Sequence, residues 1–324
     1  MKVKQLLLWF LIPSAIIVIL HIIEQALLIN ADSGFYKDGL EAAGYAVLGI
    51  TLAAMLILLV YGSTRKKYPV AVPLKSRPVF IMSLVMAAAI VVDIFMVMVS
   101  EEFSSAVILG ASNGLLFYLY LFYIAFAVLS LLFFLYYAYA QWQGIRPAGF
   151  APAAVIIMTA LKLAIVFTEH SGIANISDNI NNTAMICFLL VFWLFHGRMI
   201  AEAGYPKAVR WAYGFGICAA VYSLACTLPY YFIKLTGNGA LLHQTELPSP
   251  LLIASAVYIV VFLCSSLAGG TEYISKIKKK YEDEQREAEN CGNTVMQEPN
   301  EEPPSKADEI YNKIIKEQNR DDYK

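Results

Sequence analysis

The sequence predicts an all-α integral membrane protein. Eight transmembrane helices are expected, grouped as two parallel four-helix repeats (4+4) and followed by a largely disordered cytoplasmic C-terminal tail. Three observations carry this expectation. Apolar residues make up 59% of the 324-residue chain and charged residues only 15%, whereas soluble chains carry about 25% charge. The last 54 residues hold 10 basic and 14 acidic side chains, leaving 25 charges for the first 270 residues. Finally, eight apolar runs approach the roughly 20 residues that cross a hydrocarbon core of about 30 Å. Together these exclude a soluble globular enzyme, a nucleic-acid-binding domain and a secreted disulfide scaffold.

The first run, 5–29, follows two lysines as a signal peptide would. It is too long for a signal h-region and ends in Leu28-Ile29-Asn30 rather than a small-residue cleavage motif, so it reads as a retained span. The second and third, 44–62 and 78–100, flank the basic loop Arg65-Lys66-Lys67. The fourth, 114–140, is rich in tyrosine. Tyr123, at mid-span, needs a hydrogen-bond partner in protein and is expected to face the bundle interior. The fifth, 149–168, is followed by a polar loop. The sixth, 182–200, closes with His196-Gly197-Arg198, read as an inner anchor. The seventh, 210–233, carries Pro229 as an expected kink, and the eighth is 250–269. None of the runs alternates with a period of two, so helices rather than barrel strands span the membrane.

Flanking charge sets the orientation. With the N-terminus inside, inner segments hold eleven bases and outer segments two, a strong positive-inside bias. A cell-membrane protein with both termini cytoplasmic is expected. Internal similarity suggests the duplication. Tyr68-Pro69-Val70-Ala71-Val72 precedes the third span, and Tyr205-Pro206-Lys207-Ala208-Val209 precedes the seventh. Pro13-Ser14-Ala15 and Pro152-Ala153-Ala154 open the first and fifth. An even number of spans per copy makes the repeat parallel, with halves at 1–143 and 144–270 and the tail at 271–324.

Three charges fall inside spans, Glu24, Asp93 and Lys162. A charge at the centre of a membrane helix costs about 2.5–3.5 kcal/mol on insertion scales, which makes each a candidate functional residue. All three lie roughly 7–10 Å below the outer ends of their spans, by the helical rise. His21 joins Glu24 by the three-residue spacing. The offset of the repeat brings Glu24 onto Lys162, so an ion pair of Lys162 with Glu24 or Asp93 is expected. The candidate polar site is thus His21, Glu24, Asp93 and Lys162, with Tyr123, Glu169 and His170 as secondary candidates. Asp178 and its neighbouring asparagines read as a solvated loop, and Asn175-Ile176-Ser177 and Asn181-Asn182-Thr183 match the glycosylation pattern.

The five cysteines lack metal-ligand spacing, and there is no phosphate-binding loop, zinc-helix motif or nucleophile elbow. Neither a cofactor nor a metal nor enzyme chemistry is therefore expected. At the tail, Lys276, Lys278, Lys279 and Lys280 are placed to attract anionic lipid. A possible short amphipathic helix, 307–319, sets Ile310, Tyr311, Ile314 and Ile315 on one stripe for a protein partner. Two functions follow: transport of a small solute or ion through a site between the repeats, or a non-catalytic scaffold or accessory subunit acting through its tail.

Overall fold

A computed structural model describes residues 3–64, 73–108, 114–170, 177–201, 203, 205–243 and 248–269. Among these residues the chain is helical without strands; one isolated bridge joins Ile29 and Tyr36. The helices are α1 (Val3–Ile23, running on as a π-helical turn Glu24–Leu28), α2 (Glu41–Thr64), α3 (Arg77–Val99), α4 (Glu101–Ile108), α5 (Gly114–Gln143), α6 (Ala153–His170), α7 (Ser177–Ile200), α8 (Tyr205–Leu235) and α9 (Pro250–Gly269). Seven of them, all but α4 and α6, are long and apolar enough to cross a membrane. The fifth apolar run of the sequence, 149–168, falls largely on α6, a helix of 18 residues.

Proline marks where helices begin. Pro78, Pro206 and Pro250 sit in the first turns of α3, α8 and α9, and Pro152 immediately precedes α6, where a missing N–H costs nothing. Two helices end on glycine in the left-handed region. After α5, Gly144 (φ 74°) lets Ile145 N–H return to the Ala140 carbonyl at 2.9 Å; after α8, Gly237 (φ 79°) lets Asn238 N–H reach the Ile233 carbonyl at 3.1 Å. Both closures satisfy carbonyls that a helix end leaves open.

Two boundaries need correction. The sixth span begins at Ser177 rather than 182, so Asp178 and Asn181 belong to the first turns of α7 and are buried. They are not a solvated loop. The side-chain carbonyl of Asn181 accepts the Tyr222 hydroxyl at 2.6 Å, which removes the second glycosylation motif from reach. The stretch between the third and fourth spans also holds a helix, α4, that the apolar pattern does not reveal.

The core is organised around α8, of whose span 72% is buried. It lies against α1, α2 and α7, and Tyr213 donates to the Leu263 carbonyl of α9 at 3.0 Å. The crossing with α2 is close: a Cβ on Gly62 would stand 2.6 Å from the Gly214 Cα. From α3 the packing proceeds through α5 and α6 to α7. The spans of α1, α2, α3 and α5 are only 22–39% buried, which leaves their outward faces apolar. At the end we call outer, from the charge pattern, His243 Nδ1 donates to the Ala31 carbonyl at 3.0 Å. At the opposite end Gln141 donates to the Pro73 carbonyl at 2.7 Å and accepts the Ser76 N–H at 3.1 Å.

By backbone packing the chain divides into Met1–Leu267 and Ala268–Lys324. Beyond Gly269 the second unit lies outside the described residues. The lysine cluster at 276–280 and the stripe at 310–315 lie there too.

Candidate functional site

The outer end of α1 is built to hold one carboxylate. After the π turn the chain folds back on itself, with the Asn30 N–H bonded to the Phe35 carbonyl and the Lys37 N–H to the Leu28 carbonyl, both at 2.8 Å. That return delivers Tyr36, whose hydroxyl donates to Glu24 Oε1 at 2.8 Å. One turn below, His21 Nδ1 meets Glu24 Oε2 at 2.8 Å. The other ring nitrogen faces Thr51 Oγ1 of α2 at 3.4 Å. An Nδ1–H toward the carboxylate leaves Nε2 to accept the threonine hydroxyl, so one tautomer serves both contacts. Glu24 is fully buried, and this group ties α1 to α2.

Beside this group lies a cavity of about 1200 Å³, walled by α1, α3, α4, α5, α6, α7, α8 and α9. His21, Asp93, Tyr123, Lys162 and Glu169 line it. Five of the seven candidate residues therefore share one space. Glu24 sits behind His21 and off the wall, and the His170 side chain is outside the described residues.

The charges are not arranged as expected. Lys162 stands within ion-pair distance of neither Glu24 nor Asp93. Its ammonium lies 5.3 Å from the centroid of the Tyr123 ring, and the hydroxyl of that ring donates to Asp93. The tyrosine thus separates the two charges, taking a cation on its face and an anion at its edge. Equal depth in the membrane was the basis for an ion pair, but rotation about each helix axis decides which groups meet.

Nearer the outer end, Tyr120 donates to Glu169. Across the cavity the Gln25 amide donates to Asp178 Oδ1, and Tyr230 lies beside the same carboxylate. Gln25 and Asp178 are site residues that the sequence reading leaves out. A signal for the second was present: Asp178, Asn181, Asn182, Met185, Ile186 and Leu189 recur at three- and four-residue spacing, and all six line the cavity. Gln25, uncharged at a helix end, carried no such mark.

The floor is Trp193, which packs on Tyr258 at 5.6 Å and on His196 at 5.3 Å between centroids. His196 is wholly buried beneath it, within 3.0 Å of the Tyr258 hydroxyl and 4.5 Å from the Phe262 ring centroid. It anchors an aromatic plug between the cavity and the inner end.

Comparison of the chain with known protein families, curated proteins and solved structures gives no match. The fold and cavity define a polytopic helical membrane protein, and any narrower reading rests on the geometry alone.

Proposed function

We propose that the protein transports a small solute or ion across the cell membrane, with the cavity as its solute site. Both termini are cytoplasmic in this reading. Counting α6, the fifth apolar run, brings the spans to eight; its 18 residues reach about 27 Å at 1.5 Å per residue. One observation carries the proposal: the Lys162 ammonium lies on the wall of a large cavity in the outer half of the bundle, with no carboxylate in ion-pair distance among the described residues. A structural lysine in a membrane helix recovers its insertion cost through a paired acid. Lys162 instead faces space that water and solute can fill. The aromatic plug under Trp193 suits the closed side of an alternating-access cycle.

The four-plus-four duplication enters this proposal as a relation between sequences. Helix pairing does not follow it, because α8 lies against α1, α2 and α7, whereas its counterpart α3 packs on α5 without a similar seat on α6 or α7. The cavity is walled by residues of eight of the described helices, all but α2.

Alternating access is tested with Lys162→Cys in a chain whose five native cysteines are replaced by Ala. A membrane-impermeant thiol reagent should label it from outside in right-side-out vesicles and from inside in inverted ones. Labelling from the outer face alone, or from neither, would remove the transport reading and leave the scaffold.

A further inference from the structure

We propose that the cavity takes an amphoteric solute, one small molecule bearing both an ammonium and an acidic group. The inference rests on the cavity being a solute site and names the chemistry of what binds there.

The wall has two poles. Gln25 and Asp178 form the first. The Gln25 amide N–H₂ donates to Asp178 Oδ1, so the pair holds itself in place. That bond leaves Gln25 Oε1 and Asp178 Oδ2 buried without a donor, and both residues lie on the cavity wall at 3% and 8% exposure. Neither oxygen can donate in the carboxylate and amide forms. Two adjacent, buried acceptors call for a cationic donor, and an ammonium with its three N–H groups satisfies both. The remaining wall carboxylates, Asp93 and Glu169, already accept tyrosine hydroxyls. Asp178 has the Tyr230 hydroxyl beside it as well, but its Oδ2 is the wall carboxylate oxygen left without a donor among the described residues, and that is where an added positive charge belongs.

Lys162 is the second pole. Its ammonium has a ring face and, among the described residues, no counter-ion, so it calls for an acid. A simple cation would leave Lys162 without its counter-charge, and a simple anion would leave the acceptors empty. A solute with both groups serves both poles. Lys162 is eight residues from the outer end of α6 and Asp178 is in the first turn of α7. By the helical rise their backbones are offset by roughly 10 Å along the bundle, a span the lysine stem shortens. Met185, seven residues along α7 from Asp178, lines the wall at about the depth of Lys162, and with Ile186 gives the cavity an apolar side that suits an apolar linker. Short ω-amino acids match this pattern better than glycine.

The test is thermal stabilisation of the full chain in detergent. 4-Aminobutyrate and 6-aminohexanoate should raise the midpoint. Butyrate, hexanoate, n-butylammonium and n-hexylammonium at equal concentration should not. Lys162→Met should weaken 6-aminohexanoate binding by about tenfold or more, the effect of one charge-assisted bond, and should gain a response to n-hexylammonium. Asp178→Asn should weaken the amino acid and leave hexanoate without effect. If Asp178→Asn does not fold, the Lys162→Met reversal still decides. Equal stabilisation by a one-headed acid or amine would overturn the amphoteric assignment while leaving a solute site in place. No response to any of the six compounds would also overturn it, and the two-sided labelling of Lys162→Cys would continue to test transport on its own.

Discussion

Tyr123 is where two intramembrane charges are held apart. Removing its hydroxyl in Tyr123→Phe leaves Asp93, 2% exposed, without the donor it now has. The expected cost is about 1–3 kcal/mol, read as a lower thermal midpoint in detergent. Lys162→Met should change stability by less than about 0.5 kcal/mol while abolishing growth that depends on the protein, because no carboxylate among the described residues loses an ion-pair partner. A loss of about 3–5 kcal/mol, the mark of a broken buried pair, would instead assign Lys162 to structure. At this scale the sequence was informative about charge and silent about amides. A lysine or aspartate inside an apolar run is conspicuous, whereas Gln25 at a span end looks like an ordinary interfacial residue. Placing Lys162 beside Glu24 failed because depth along a helix says nothing of rotation about it.

Among the elements, the α2–α8 crossing is the most tightly specified. Gly62→Ala would bring a Cβ to 2.6 Å from the Gly214 Cα, backbone that cannot swing aside, while a Cβ on Gly49 of the same helix meets nothing within 4 Å. Gly62→Ala should therefore destabilise by about 1–3 kcal/mol, and Gly49→Ala should stabilise by up to about 1 kcal/mol through helix propensity. Matched thermal melts of the two variants check this, and equal midpoints would contradict the close crossing. The long apolar helices were legible because hydropathy alone sets them; α9 spans the expected 250–269. The start of α7 was not. Asparagine and aspartate resemble a loop by composition, and only their spacing shows a helical face turned inward. The eight residues of α4 are too few for an apolar pattern to register.

For the whole molecule, orientation is the expectation that charge supports and packing leaves untouched. Reporters fused after Lys324 and between residues 65 and 76 should read cytoplasmic, and one between 171 and 176 external. A cytoplasmic signal between 171 and 176 would remove α6 from the membrane and reverse the order of everything after it. The duplication is a different matter. Tyr68-Pro69 lies outside the described residues, and the unequal partners of α3 and α8 show that likeness of sequence need not bring likeness of packing.

The seat of α1 and α2 on α8 has a bearing on how the chain is made. Their principal partner is more than 140 residues downstream of Thr64, at Tyr205–Leu235, which at 5–20 residues per second is a wait of roughly 7–30 s on the ribosome. During that interval the first two helices must reside in lipid beside each other. The contact of His21 with both Glu24 and Thr51 needs nothing from α8, so the polar groups of the nascent hairpin are sheltered from hydrocarbon before the helix that will bury them has been synthesised.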